Sequence, residues 1–147
     1  MWKGIIAAVI LVFLLCLAEG RRELRFFKIT RYTLKVPAFK KLDSEKKIIL
    51  LADLHNKSYG EHNSRLLDAI RKEKPDLIIS SGADVAVPFF YLGKLFGAKL
   101  IYIEVFDRID KPTMTGKMIY PIVDQFVVQW EEQRKVYPKS VNLGSIF

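Results

Sequence analysis

Asp53-Leu54-His55 sets a carboxylate and an imidazole two positions apart, directly after the apolar run at 48–52. At a strand end that spacing aims both groups at one point, where a divalent metal fits or where His55 acts as a general base. His55 and His62 are the only histidines and Cys16 the only cysteine. An internal disulfide and a cysteine-rich zinc site are therefore excluded. Glu104 closes the apolar run at 100–103, where an unpaired carboxylate is costly. It is either a site or interface residue or the partner of Lys99, Arg108 or Lys111. Ser80-Ser81-Gly82 follows another apolar run, and Thr113-Met114-Thr115-Gly116-Lys117 precedes a short one. Backbone amides in such places can hold a phosphate, although a plain helix cap also accounts for the second. Trp130, beside Glu131 and Glu132, fits either packing or a protein interface.

These residues need elements to position them. Residues 48–52 form a short, continuous apolar strand of the kind buried in parallel sheets. An amphipathic helix is predicted over 61–74, with Leu66, Leu67 and Ile70 on one face. Pro75-Asp76 leads into a second strand at 77–79, and a helix from Val87 to about Phe96 stops at Gly97. Strands follow at 100–103 and 125–129, with a short fifth at 140–143. The helix at 88–96 is apolar nearly all round, which suits burial under a sheet or contact with lipid. Alternating strands and helices imply an α/β fold, a Rossmann-like parallel sheet whose ligands bind beyond the carboxyl ends of the strands. Residues 26–36 alternate loosely and are rich in β-formers, so one more strand is expected there, covering a sheet edge.

Charge divides the 147 residues unevenly. Residues 19–50 hold ten Lys and Arg against four acids, a net +6 of the total +8, whereas 51–147 carry only +1. Ahead of this collar, residues 4–18 form fifteen uncharged positions. As a helix they reach ~22 Å, short of a ~30 Å hydrocarbon core, and Met1, Trp2 and the stem of Lys3 extend them towards spanning length. Cys16-Leu17-Ala18 offers a signal-peptide cleavage site. The positive charge after the run instead favours a retained single-pass transmembrane helix with the rest of the chain in the cytoplasm. The collar then reads as a juxtamembrane segment drawn to anionic membrane lipid, not as a nucleic-acid-binding surface.

Two resemblances attach to these motifs. The strand ending in Asp53-Leu54-His55-Asn56, then Asn63, a helix and Pro75-Asp76-Leu77-Ile78, resembles the start of a calcineurin-like metallophosphoesterase. That likeness implies a metal held by Asp53, His55 and Asp84. The family's later Asn-His and Gly-His-x-His elements are absent, so a truncated, inactive protein is implied. From about Lys74 the chain resembles the membrane-anchoring subunit of the two-component N-acetylglucosaminyl and capsular-polysaccharide glycosyltransferases. The matching residues include Gly97-Ala98-Lys99-Leu100-Ile101-Tyr102-Ile103-Glu104, Thr113-Met114-Thr115-Gly116-Lys117, Asp124-Gln125-Phe126-Val127-Val128-Gln129-Trp130 and Tyr137-Pro138-Lys139-Ser140.

This second likeness implies half of a split GT-B glycosyltransferase, inactive alone and needing no cofactor of its own. Its partners would be a catalytic subunit that binds the nucleotide sugar, and a lipid-linked acceptor. It implies catalytic roles for His55 and Glu104, substrate binding by Ser81, Gly82, Thr115, Gly116 and Lys117, and a partner interface at Trp130 and Tyr137. The resulting organisation is an anchor at 1–20, a basic segment with one strand at 21–46, and a Rossmann-like domain at 47–147. The two families meet near 75–84.

Overall fold

The computed structural model describes residues 2–23, 27–37, 44–52, 58–81 and 86–145. A helix, α1, runs over Trp2–Glu23 and ends in the charged stretch after the uncharged run. Its aliphatic side chains are exposed. Among the described residues no helix is long and apolar enough to cross a membrane.

The remainder is a five-stranded sheet with helices between strands. Strand β1 (Ile48–Leu51) is followed by α2 (Ser64–Glu73), β2 (Leu77–Ser80), α3 (Val87–Leu95), β3 (Lys99–Ile103), α4 (Met114–Ile119), β4 (Gln125–Val128) and β5 (Val141–Asn142). One-turn 3-10 helices at Glu61–Asn63 and Glu131–Lys135 lead into α2 and bridge β4 to β5. Strand order equals chain order, and every pair is parallel. The α/β parallel sheet expected from the strand–helix alternation is present, including the pairing of β1 beside β2.

Local chemistry sets the boundaries. Lys74 ends α2 in a left-handed conformation at φ 49 and Pro75 cannot continue the helix. Asp76 then accepts hydrogen bonds from the Lys47 amide at 2.9 Å and from Lys46 Nζ at 3.2 Å, tying the starts of β1 and β2 together. Gly97 turns the chain out of α3 at φ 80, a value open to glycine at little cost. At the start of β3 the Leu100 amide and Lys99 Nζ both donate to Asp124 at 3.0 Å. Burial works to raise the Asp124 carboxyl, but Lys99, the Leu100 amide and Lys94 together hold it below its ordinary value.

The core lies on one face of the sheet. Ile78, Leu100, Tyr102, Phe126 and Val128 pack with Leu66 and Ile70 of α2, Phe89 and Phe90 of α3, and Ile119 of α4. This follows from the topology: right-handed crossovers that always step to the next strand in the same direction leave all their helices on one side. The alternate positions form the opposite face, in register rows Ile48–Leu77–Lys99 and Leu50–Ile79–Ile101–Gln125. Ile48 is 55% and Leu50 65% exposed, whereas Leu77, Ile79 and Ile101 are half-buried and outside the core cluster.

Residues 27–36, expected as an edge strand, have no regular secondary structure. Phe27 packs edge-on against Tyr59 with ring centres 5.3 Å apart, and Arg31 pairs with Glu73 at the end of α2. The segment therefore braces the β1 end of the domain through two side chains, without pairing the β1 backbone. β-forming composition does not make a strand where most of the side chains stay in water.

Candidate functional site

The carboxyl ends of the strands converge on Glu104, the first residue after β3. Its amide donates to Val127 O at 2.9 Å, which prolongs the β3–β4 ladder by one bond. Its side chain is fully buried. Tyr137 Oη donates to Oε2 at 2.6 Å, and the Val105 amide to Oε1 at 2.9 Å. The Thr113 hydroxyl reaches Oε1 at 3.0 Å and Oε2 at 3.1 Å. Hydroxyls and an amide satisfy the carboxylate, in place of the cation expected from Lys99, Arg108 or Lys111; Lys99 is engaged with Asp124 instead. Burial, reinforced by the adjacent Glu104, pushes the Tyr137 phenol well above its ordinary value, so it remains a donor throughout the physiological range.

The same knot fixes α4. Thr113 is its N-cap, and the hydroxyl that donates to Glu104 accepts from the Gly116 amide at 2.8 Å. A Cβ on Gly116 would overlap Tyr137 Oη, Glu104 Oε2 and Thr113 Oγ1, so only glycine fits there. Thr115 is 3% exposed and Gly116 is buried. Of the proposed phosphate-binding stretch Met114 and Lys117 face solvent, and the geometry is that of a helix cap.

Above Glu104, the loop 105–112 is held by side chains that follow β4. Gln129 Nε2 donates to Glu104 O at 3.0 Å, and Trp130 Nε1 to Phe106 O at 2.8 Å. Gln133 Nε2 donates to Val105 O at 3.1 Å and Arg108 O at 2.9 Å. Its Oε1 meanwhile accepts from the Gln129 and Trp130 amides at 2.9 and 3.1 Å. Gln129 and Gln133 are 4% and 1% exposed, so these bonds are made away from water and their loss would leave orphaned polar groups. The Phe106 and Trp130 rings lie 4.8 Å apart, and Phe106 and Ile109 stay about 40% exposed. The result is a fixed loop that shows aromatic and aliphatic surface at the carboxyl edge of the sheet.

Several expected site residues take other places. Tyr137 is 2% exposed, which makes it an interior residue and not a surface contact. Trp130 is half-buried with one edge committed to Phe106. Glu104 is fully buried, with its carboxylate bonded to Thr113, Tyr137 and the Val105 amide. Ser81 is exposed at the end of β2, and the buried neighbour Ser80 donates to Leu51 O at 3.2 Å. Asp53, His55, Gly82 and Asp84 lie outside the described residues. Among the described residues no three His, Cys, Asp or Glu side chains converge to hold a metal. Gln129 and Gln133 carry no strong sequence signal as site residues; the signal they do carry is an amide side chain ending the apolar strand, with a second four positions later.

Residues 62–146 match the family model described as "Oligosaccharide biosynthesis protein Alg14 like". The chain belongs to that family. The match contains every residue of the Glu104 knot and of the loop clamp. It starts at residue 62 and takes in α2 as well as the stretch from Lys74 onward. Similar relatives carry the name UDP-N-acetylglucosamine transferase subunit ALG14. The human protein is 35% identical over 83 residues, covering 52% of this chain and 38% of the relative. That of Candida albicans is 38% identical over 77 residues, covering 48% and 35%, and that of Saccharomyces cerevisiae 45% over 51 residues, covering 34% and 22%. The chain thus spans under two-fifths of the length of these relatives. No solved structure matches it. The likeness of the first half to metallophosphoesterases finds no support among these matches, and with it goes the reading of Asp53, His55 and Asp84 as a metal site.

Proposed function

We propose that this Alg14-like chain is the non-catalytic, membrane-held subunit of a two-component UDP-N-acetylglucosamine transferase acting on a lipid-linked saccharide. The observation that carries the reading is the coincidence of the family match with one built feature. Residues 62–146 include the whole apparatus that fixes loop 105–112 and presents Phe106, Ile109 and the open edge of Trp130. A loop held by buried glutamines yet showing aromatic surface suits docking of a catalytic subunit, since interface anchors are typically rigid aromatic groups at a hydrogen-bonded rim. The buried Glu104 supports that platform from beneath, as a positioning residue and not as an acid or base in the reaction.

In this reading the partner subunit binds the nucleotide sugar. This chain recruits it to the membrane and offers the acceptor side, for which Ser81 and Lys117 are the exposed candidates. Helix α1 is the anchor, with the basic stretch after it at the cytoplasmic surface. No cofactor is required of this chain.

The test is co-expression with the catalytic subunit of a UDP-N-acetylglucosamine transferase, followed by affinity capture from detergent extracts and a transfer assay. Neither chain alone should elongate a lipid-linked N-acetylglucosamine acceptor, and the captured pair should. Phe106→Asp should abolish capture while leaving the far-UV circular dichroism unchanged. Capture undiminished by Phe106→Asp, or transfer by this chain alone, rules the proposal out.

A further inference from the structure

The second face of the sheet is the largest feature that the reading above leaves without a role. Ile48, Leu50, Leu77, Ile79 and Ile101 form a continuous aliphatic surface there, and among the described residues no helix packs over it. Exposure is graded. It is greatest on β1, at 55% for Ile48 and 65% for Leu50, and falls to half-burial on β2 and β3.

Three observations identify what this surface meets. The first is the tether. Phe27 is fixed to Tyr59 and Arg31 to Glu73, both at the β1 end of the domain. Helix α1 ends at Glu23, four residues before Phe27, so its end lies within ~14 Å of that corner. Both contacts lie on the covered side at the β1 edge, so the end of α1 is near the edge strand whose other face is the most exposed. The second is charge. The stretch joining α1 to β1 includes Lys28, Arg31, Lys35, Lys46 and Lys47 and belongs to the region of net +6. Lys99, on the same face beside Leu77, is 74% exposed at its side chain while its ammonium pairs with Asp124, so the charge that counts is that of the basic stretch before β1. The third is size. Five strands ~4.8 Å apart and about four residues long offer on the order of 300 Å², well under the ~800 Å² per partner of a standard stable protein interface. A second copy of the chain would find too little area here, whereas a bilayer surface that already holds α1 needs none to spare.

We infer that the bare face of the sheet lies against an anionic phospholipid surface, with β1 innermost and the basic stretch at the level of the headgroups. This rests on the reading of α1 as a membrane anchor and extends it from a tether to an oriented contact. The backbone amides and carbonyls between strands are paired within the sheet, and the open outer edge of β1 keeps its polar groups among water and headgroups, so the contact is an interfacial one and not an insertion into hydrocarbon. Basic residues near an anionic surface are attracted to it, and salt screens that attraction.

The experiment places an environment-sensitive fluorophore on single cysteines of the full chain. One form uses the native Cys16 on α1. In a Cys16→Ser background, Leu50→Cys reports on the bare face and Lys72→Cys on the exposed side of α2. Vesicles of phosphatidylcholine with phosphatidylserine, with and without nitroxide-bearing lipid, are the probe. The expected result is a blue shift at position 50 on adding vesicles and loss of most of its emission to nitroxide lipid. Position 72 should stay water-like, and the effect at 50 should shrink when phosphatidylserine is omitted or salt is raised. Quenching at 16 with a water-like signal at 50 overturns the inference and leaves the anchor standing. A signal at 50 that is blue-shifted before lipid is added also overturns it. If that shift is independent of protein concentration the face is covered by α1, and if it grows with concentration, by a second copy. Absence of quenching at both 16 and 50 removes the inference and the anchor together.

Discussion

A buried carboxylate without a cation is costly unless donors satisfy both of its oxygens, and Glu104 meets that condition with two hydroxyls and an amide. Removing one donor should expose the cost. Tyr137→Phe keeps the packing against Phe126 and Tyr120 but deletes the 2.6 Å bond. It should lower unfolding free energy by about 1.5–3 kcal/mol in urea melts. Gly116→Ala should cost about 1–3 kcal/mol by overpacking, since its methyl has to displace Tyr137, Glu104 or Thr113. Wild-type stability in either variant would show that the knot is looser than its hydrogen bonds indicate. Glu104 is legible in the sequence, because a carboxylate at the end of an apolar run is conspicuous. What satisfies it is not, because Thr113 and Tyr137 stand nine and 33 residues away and only the fold brings them together. Tyr137 resembles an interface residue for the same reason: its type suits a surface contact, and its burial is not written locally.

Among the elements, the strands and helices are legible wherever punctuation and apolar pattern agree. Pro75 before β2 and Gly97 after α3 are cases where one residue decides a boundary. The brace at 27–36 has the composition of a strand without being one, because alternation implies a strand only when one face is buried. The loop 105–112 has no pattern of its own, and its shape is imposed by Gln129, Trp130 and Gln133. Replacing Gln133 by Leu should therefore speed amide exchange in residues 105–109 while the β2–β3 amides keep wild-type protection, as read by hydrogen exchange. The Asp124 corner gives a pH dependence. A carboxyl held below its unfolded value contributes stability above the unfolded pKa, and the contribution is lost as pH falls through the folded value. Acid titration of Asp124→Asn should thus show a shallower loss of stability below about pH 4 than the wild type.

For the whole molecule, the prediction concerns α1. Its side chains are exposed, so Ile10→Lys with Leu14→Lys should leave the sheet domain folded, by near-ultraviolet circular dichroism, and move the chain from the membrane pellet to the supernatant. Retention in the pellet would show that the remaining surface suffices for attachment. The charge distribution alone suggests a tether, since an apolar run and a basic collar ahead of a near-neutral domain match the charge asymmetry of one, whereas among the described residues no helix is long and apolar enough to cross a membrane. That the described residues cover the sheet with helices on one side only is not legible. Burial of one face or two depends on the order of strands in space, which no local pattern records.

That order has a consequence for how the chain acquires its structure. Each strand pairs with the one just before it and with the one just after it, so no contact in the sheet waits for a distant segment to return. Loop-closure costs are met one crossover at a time, which keeps the pairing as local as an all-parallel sheet allows. During synthesis β1 can receive β2 as soon as α2 has left the ribosome, and each later unit adds to a finished edge. The segment after β4 supplies Gln129, Gln133 and Tyr137, so the platform at the carboxyl edge sets only after the first four strands have been made. A nascent chain held at a membrane would therefore carry a formed sheet before it could receive a partner.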